Sequence, residues 1–254
     1  MRATILGCGG SLGVPMVGNN WGTCDPSNPR NRRRRPSLLV EDGATSILVD
    51  TTPDCREQLL DADVGRLDGV VFTHSHADHV HGVDDLRGLT YRQHGPIRGF
   101  ADRQTADLLS MRFGYAVASV DMDRGLYAPI LDLEIIDGPF RVGGIDVIPF
   151  VQQHGPGTSL GLRFGPLAYS TDVSRLDEAA FAVLEGVDIW IVDACREAPH
   201  PSHAHLALAL DWIRRLRPRC AILTHMNHTM DYATLCAQLP DGVLPAYDGL
   251  VVEA

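Results

Sequence analysis

The segment from Val70 to His79 constrains this chain more than any other stretch of its sequence. The apolar run Val70-Val71-Phe72 predicts a buried β-strand, and three histidines and a carboxylate follow it within a few positions. A strand fixes the backbone, and the loop after it can turn several side chains toward one point. Because imidazole and carboxylate groups together bind zinc, manganese or iron, the segment predicts a metal site. Its candidate ligands are His74, His76, Asp78 and His79.

The pattern His-x-His-x-Asp-His after an apolar strand resembles the signature of the metallo-β-lactamase superfamily. The resemblance implies three further ligands in the order His, Asp, His, each at the end of a strand. In the chain, His154 closes the segment Ile145–Gln153, Asp172 follows the apolar segment Leu167–Ser170, and His225 follows Ala221–Thr224. A lone histidine is more often structural, but four elements in the expected order are specific. The resemblance therefore implies an α/β protein with the four-layer αββα sandwich, and we expect one domain over residues 1–254.

The family resemblance also divides the ligands between two divalent metal ions, Mn²⁺ or Zn²⁺. Such a pair makes a shared water acidic enough to supply metal-bound hydroxide as nucleophile and polarises the substrate oxygen. Asp78 could additionally orient the attacking hydroxide. All seven positions are intact, which favours an enzyme over a non-catalytic metal-binding or sensing relative. The division implied is His74, His76 and His154 for one ion, Asp78, His79 and His225 for the other, and Asp172 between them.

A proton donor for the leaving group is the next requirement of such an enzyme. In phosphodiesterases of this superfamily a histidine just ahead of a helix has this role, and His203 occupies that position here. An imidazole suits the task because its pKa lies near working pH. His200 and His205 are expected at the surface or at the helix start. Asp50 and Asp248 could each accept a proton from a ligating imidazole, with a turn-capping role as the alternative for both.

Three segments narrow the resemblance to the PhnP group of cyclic phosphodiesterases, which open a ribosyl 1,2-cyclic phosphate. They are 7–15, 28–35 and 224–231. Enzymes of that group carry a structural zinc held by three cysteines and a histidine. Cys24 and His228 match two of these ligands, but two thiolates are missing, so we expect no structural zinc. A sister group with another phosphodiester substrate stays open for the same reason.

These observations predict a di-metal phosphodiesterase for a small phosphorylated substrate, such as a ribosyl cyclic phosphate or a nucleotide. The alternatives are a tRNA 3′-processing nuclease and an accessory hydrolase of the same fold. The formal net charge of −10 argues against broad attraction to nucleic acid, so no stable nucleic-acid complex is expected. Arg87, Arg92 and Arg196 could contact phosphate, although solvated surface is expected for any one of them.

Composition adds the expected location and one irregular region. No apolar run is long enough to cross a membrane, and the N-terminus does not resemble a signal peptide. The six cysteines form no Cys-x-x-Cys pair. Together these observations predict a cytoplasmic protein with reduced cysteines. Residues 11–36 predict an irregular surface loop with a homodimer contact as one role. Its run Arg32–Arg35 is expected to be a solvated edge, with a phosphate-facing or partner-facing role as the alternative.

Periodicity predicts alternating strands and helices, as in an α/β fold. The predicted strands are Thr4–Leu6, Leu38–Glu41, Ser46–Val49, Val70–Phe72, Ile97–Phe100, Ile145–Ile148, Ser159–Phe164, Ile189–Val192 and Ala221–Leu223. The predicted helices are Pro53–Leu60, Gln104–Met111, Asp177–Leu184, His205–Leu216 and Tyr232–Leu239.

Overall fold

A computed structural model of the chain describes residues 1–117 and 128–254. Within these ranges the chain forms fourteen β-strands and seven α-helices. The strands are β1 (Arg2–Gly7), β2 (Ser37–Asp42), β3 (Thr45–Val49), β4 (Gly69–Val71), β5 (Ile97–Ala101), β6 (Leu131–Ile135), β7 (Phe140–Val142), β8 (Ile145–His154), β9 (Gly157–Phe164), β10 (Leu167–Ser170), β11 (Ile189–Asp193), β12 (Cys220–Thr224), β13 (Val243–Pro245) and β14 (Leu250–Glu253). The helices are α1 (Cys55–Asp61), α2 (Ala77–Val80), α3 (Arg87–Gln93), α4 (Arg103–Arg112), α5 (Glu178–Leu184), α6 (Leu206–Leu216) and α7 (Tyr232–Gln238).

The strands form two seven-stranded mixed sheets. The first has the order β14-β1-β2-β3-β4-β5-β6, and the second has the order β13-β12-β11-β10-β9-β8-β7. In each sheet one half is antiparallel and the other half is parallel: β3 to β6 run parallel in the first sheet, and β10 to β13 run parallel in the second. The carboxyl ends of parallel strands lie at one edge of a sheet, so residues that follow these strands can gather there.

The alternation of side chains along each strand produces the layers. On β2, Leu38 and Val40 pack in a core shared by both sheets, whereas Leu39 packs with Leu59 of α1 and Val80 of α2. Successive strand residues point to opposite faces, so each strand with apolar residues on both faces needs cover on both sides. Helices α1 to α4 follow the strands of the first sheet and α5 to α7 those of the second. The expected four-layer αββα sandwich is confirmed.

All nine predicted strands and all five predicted helices form, with ends that differ by a few residues. Five of the described strands are not predicted: the central strand β10, and β6, β7, β13 and β14, which are the edge strands of the two sheets. An edge strand has one neighbour, so fewer of its side chains are buried; in β14 no residue is fully buried. Helix α2 has four residues, too few for a helical period to be recognised.

The segment 11–36 is irregular, as predicted, with a single turn of 3₁₀-helix at Pro29–Asn31 among its turns and bends. The expectation of a solvated Arg32–Arg35 run is wrong for Arg33, which is 2% exposed. The Arg33 guanidinium donates to the carbonyl oxygens of Met230 at 2.6 Å and Asn227 at 3.2 Å. It is buried because those carbonyls, which lie just after β12, need a donor. Arg33 therefore fastens this early loop to the segment that follows His225.

No helix among the described residues is long and apolar enough to cross a bilayer.

Candidate metal centre

The seven predicted ligands all lie at strand ends or at the start of α2. His74 and His76 lie between β4 and α2, with His76 at the N-cap of the helix. Asp78 and His79 occupy the first turn of α2. The remaining three ligands come from the second sheet: His154 is the last residue of β8, Asp172 lies just beyond β10, and His225 directly follows β12.

Three residues of the site leave their strands through the left-handed region of backbone conformation. Asp50, Asp172 and His225 have φ values of 63°, 52° and 57°. Such a conformation is uncommon for residues other than glycine and costs about 1–3 kcal/mol each when sparsely populated. Each of these turns lies just after a strand, at the sheet edge where the other ligands gather.

The seven residues form two groups that share Asp172, and within each group the possible ligand atoms lie within 4.8 Å of one another. Asp172 Oδ1 is 3.0 Å from His79 Nε2 and 3.3 Å from His225 Nε2. Asp172 Oδ2 faces the other group, at 3.7 Å from His74 Nε2 and 3.6 Å from His154 Nε2. The two oxygens of one carboxylate thus face different groups of histidines, as a residue bridging two cations must.

Several buried polar atoms of the site have no hydrogen-bond partner among the described residues. An unpaired polar atom in the interior costs about 1–3 kcal/mol, and native proteins seldom leave several together. Lone pairs directed at a divalent cation remove this cost, because the donor set of imidazole and carboxylate is the one that zinc and manganese accept. The residues therefore fit a metal centre. The atoms are His74 Nε2, His79 Nε2, His225 Nε2 and Asp78 Oδ2.

The other nitrogens of the histidines have partners that fix the ring orientation. His79 Nδ1 lies 2.7 Å from Asp50 Oδ2, and His154 Nδ1 lies 2.7 Å from the carbonyl oxygen of Ser202. Each contact makes Nδ1 the donor and leaves Nε2 to face the metal centre. The predicted role of Asp50 is confirmed. The same prediction for Asp248 is wrong, because that carboxylate accepts from the backbone nitrogens of Cys8 and Arg34.

The electrostatics of the site favour bound positive charge. Burial raises the pKa of Asp172, but His225, His79 and His74 lower it by more. The pKa of this carboxyl therefore lies well below its usual value. Burial lowers the pKa of His79, but Asp172, Asp78 and Asp50 outweigh burial and raise it well above its usual value. Burial holds the pKa of His74 well below its usual value, which keeps that imidazole neutral as a ligand must be. The three buried carboxylates of the site, those of Asp50, Asp78 and Asp172, are therefore stable as anions only next to positive charge.

His203, the predicted proton donor, lies beside both groups of ligands. Its Nδ1 is 3.0 Å from Asp193 Oδ2 and 3.8 Å from Asp172 Oδ2, and its ring stacks on His225 at 4.6 Å between centroids. Asp193 was not among the predicted site residues, although it ends β11 at the same sheet edge as the ligands. His200 packs against His203, with 5.0 Å between ring centroids, and His205 is the N-cap residue of α6 without a side-chain capping bond.

The arginines named as candidate phosphate contacts do not gather at the metal centre. Arg92 lines a surface cavity with Gly65, and Arg196 donates to the carbonyl oxygens of Ala198 and Pro199 in its own loop. Arg87 lies 3.2 Å from Asp84. Arg112, which sequence reasoning missed, donates to the carbonyl oxygen of Ser75, between two ligands. Its position at the end of α4 gave no signal that could have identified it.

Comparison with known proteins agrees with this geometry. A family model described as "Beta-lactamase superfamily domain" matches residues 45–226. A solved structure described as a new diphosphatase from the PhnP family is 34% identical, covers 100% of this chain and 97% of that chain, and superposes with a TM-score of 0.91. Zn²⁺-bound PqqB from Methylobacterium extorquens, at 20% identity, has the same fold over 100% of both chains, with a TM-score of 0.76.

Two curated relatives extend the comparison. An octanoyltransferase of Porphyromonas gingivalis (strain ATCC BAA-308 / W83) is 32% identical over 258 residues, which cover 98% of this chain and 51% of that protein. A ribonuclease Z of Bradyrhizobium sp. (strain ORS 278) is 44% identical over 173 residues, which cover 63% of this chain and 53% of that protein. The chain thus spans about half the length of these two relatives.

The matched domain covers most of the chain, and the similarity to the diphosphatase covers all of it. The ligand motif, the two mixed sheets and the donor set at their common edge agree with this similarity. This chain belongs to the beta-lactamase superfamily and, within it, to the PhnP family.

Proposed function

We propose that the protein is a di-metal phosphodiesterase that hydrolyses a small phosphodiester, such as a ribosyl cyclic phosphate or a nucleotide. The observation that carries the proposal is the position of Asp172, whose two oxygens face two separate histidine groups, with His203 next to both. A site of this kind suits displacement at phosphorus, because the attacking and leaving oxygens lie on opposite sides of the reacting atom.

Two bound divalent cations, Mn²⁺ or Zn²⁺, would make water acidic enough to attack near neutral pH and would polarise the phosphoryl oxygen. His74, His76 and His154 would hold the first ion, Asp78, His79 and His225 would hold the second, and Asp172 would serve both.

His203 then supplies the proton that the leaving oxygen needs. Its Nδ1 donates to Asp193, so Nε2 is the nitrogen that presents a proton to the substrate. The Asp193 carboxylate fixes the orientation of the His203 ring, and the backbone nitrogen of Val173 donates to that carboxylate at 3.1 Å. A positioned general acid of this kind contributes about 10²–10⁴ in rate.

The test is turnover of bis(4-nitrophenyl) phosphate and of a ribosyl cyclic phosphate by protein loaded with Mn²⁺. We expect hydrolysis that His76→Ala abolishes, and turnover no faster than that of His76→Ala would reject the proposal. His203→Asn should lower kcat by about 10²–10⁴. His205→Asn is the matched control, since His205 lies in the same segment but caps nothing with its side chain. A diphosphate belongs in the substrate panel because a similar solved protein is described as a diphosphatase.

A tRNA 3′-processing nuclease is the second candidate, supported by the similarity to ribonuclease Z. The net charge of −10 opposes it, since backbone binding requires clustered positive charge. Binding of tRNA measured at several salt concentrations separates the two. Tight binding that weakens steeply with salt, together with cleavage, would favour the nuclease. An accessory hydrolase in a biosynthetic pathway, supported by similarity to coenzyme PQQ synthesis protein B, would turn over neither class of substrate.

A further inference from the structure

A third group of possible metal ligands overlaps the metal centre at His225. Cys195, His203 and His225 each offer one ligand atom, and these atoms lie within 4.8 Å of one another. All three side chains are buried. His203 and His225 already belong to the site described above, but Cys195 has no role there. The thiol lies just beyond the end of β11, two residues after Asp193.

Two further atoms facing this group have no hydrogen-bond partner among the described residues. They are Asp193 Oδ1 and His225 Nδ1, which lie 4.0 Å apart. Asp193 is 0% exposed and His225 is 1% exposed, so water does not reach either side chain freely. The opposite nitrogen of His225, Nε2, faces Asp172. The unpaired Nδ1 and carboxylate oxygen are therefore directed away from the first metal centre and toward the thiol side.

Thiolate, imidazole and carboxylate together form the donor set of a tetrahedral zinc site. A Zn²⁺ ion needs ligand atoms about 2.0–2.3 Å from itself, so donors that now lie up to 4.8 Å apart would have to approach one another when an ion binds. The thiolate decides which ions bind. Soft sulfur ligands select Zn²⁺ and related thiophilic ions, whereas Mn²⁺ and Mg²⁺ prefer oxygen.

We propose that Cys195, His203 and His225, with Asp193 alongside, form an inhibitory site for a thiophilic divalent cation, Zn²⁺ or Cd²⁺. Binding releases the thiol proton to solvent, because a metal-bound cysteine is a thiolate. It also occupies the ring that donates the proton in the proposed reaction, and it competes for His225 with the first metal centre. The enzyme would therefore work with Mn²⁺ and lose activity in excess Zn²⁺. The inhibition rests on the proposed function, but the binding does not.

Titration with Co²⁺, a spectroscopic substitute for Zn²⁺, tests the binding without reference to activity. The wild-type protein should develop the near-ultraviolet absorption of a cobalt thiolate. Cys195→Ser should lose this absorption, and Cys195→Ala serves as a second variant if the serine protein does not fold. Cys220→Ser and Cys236→Ser are matched controls, because both thiols lie at other positions and are less buried. An absorption that survives loss of Cys195, or none in the wild type, would overturn the proposal.

Zn²⁺ inhibition of the Mn²⁺-loaded enzyme, assayed with bis(4-nitrophenyl) phosphate, tests the consequence. Loss of one ligand should raise the inhibitory Zn²⁺ concentration by at least about tenfold in Cys195→Ser, with Cys236→Ser unchanged. Equal inhibition of all three proteins would overturn the inhibitory role. If no protein turned over substrate, the proposed function would fail, yet the cobalt absorption would still decide whether the cation site exists.

Discussion

Asp248 provides a prediction about stability that does not involve the metal centre. Its carboxylate accepts from the backbone nitrogen of Cys8 at 3.1 Å and from that of Arg34 at 2.7 Å. It thereby joins the end of β1, the arginine run and the turn before β14. Burial raises the pKa of Asp248 from 3.8 to about 6, in spite of these donors. The charged form is therefore disfavoured in the folded protein.

The sign of the resulting pH dependence follows from proton uptake. Because the folded state holds this proton more tightly than the unfolded state, the contribution of Asp248 to stability falls as pH rises from about 4 to about 6. The difference of about two pKa units corresponds to about 3 kcal/mol. Asp248→Asn removes the ionisation. It also leaves one carbonyl oxygen for two backbone donors, which costs about 1–3 kcal/mol at every pH.

The variant should therefore be less stable than the wild type at low pH, and the gap should close by about 3 kcal/mol above about pH 6. The difference in free energy of unfolding between the two proteins is measured by urea unfolding from about pH 4 to above about pH 6. A chelator is present throughout, and the values are extrapolated linearly to water. The two proteins are identical at every other ionisable group, so the effect of those groups cancels in the difference. Asp241→Asn at an exposed site is the control and should stay within about 0.5 kcal/mol at all pH values. A gap for Asp248→Asn that is constant or widens with pH would refute the reasoning.

Three further predictions concern packing and the metals. Arg33→Met should lower the free energy of unfolding by about 3 kcal/mol, because two buried carbonyl groups lose a charged donor. Arg32→Met, at an exposed neighbour, should change it by less than about 0.5 kcal/mol, and equal effects in a urea titration would contradict the assignment. Gly82→Ala should cost at least about 2 kcal/mol and weaken metal binding, because a Cβ there would lie 2.0 Å from the carbonyl oxygen of Thr52. Gly88→Ala is the control, since Gly88 lies inside α3 with open space around it. This variant should be neutral or stabilising by about 0.5–1 kcal/mol, and thermal unfolding of both glycine variants measures the difference. Chelation of the metals should lower Tm and restored Mn²⁺ should recover it; a Tm insensitive to both would contradict a metal centre built from these buried groups.

Most central strands and most helices could be predicted from sequence because their signals are local. β4 and β12 are continuous apolar runs buried on both faces, and α6 has apolar residues at helical spacing. The edge strands β6, β7, β13 and β14 could not be predicted in the same way, since half of each strand contacts solvent or loop. Helix α2 could not be predicted from periodicity because it has only four residues, two of which are candidate metal ligands.

The arginine run shows where composition misleads. A run of four like charges predicts solvated surface, and Arg32 agrees with that expectation. Arg33 does not, because its partners are carbonyl groups nearly two hundred residues away in the chain. A local pattern carries no information about a partner at that distance.

The sequence by itself determined which residues can hold metal and in what order, because each ligand type follows a recognisable strand. It could not determine that the two oxygens of Asp172 face different histidines, that Asp193 holds His203, or that Cys195 lies behind both. Those relations depend on the parallel pairing of β10 with β11 and of β11 with β12, which sets three loop segments side by side. Only the packed sheets bring such side chains within hydrogen-bond distance, since contact across a sheet edge is a property of strand order and register.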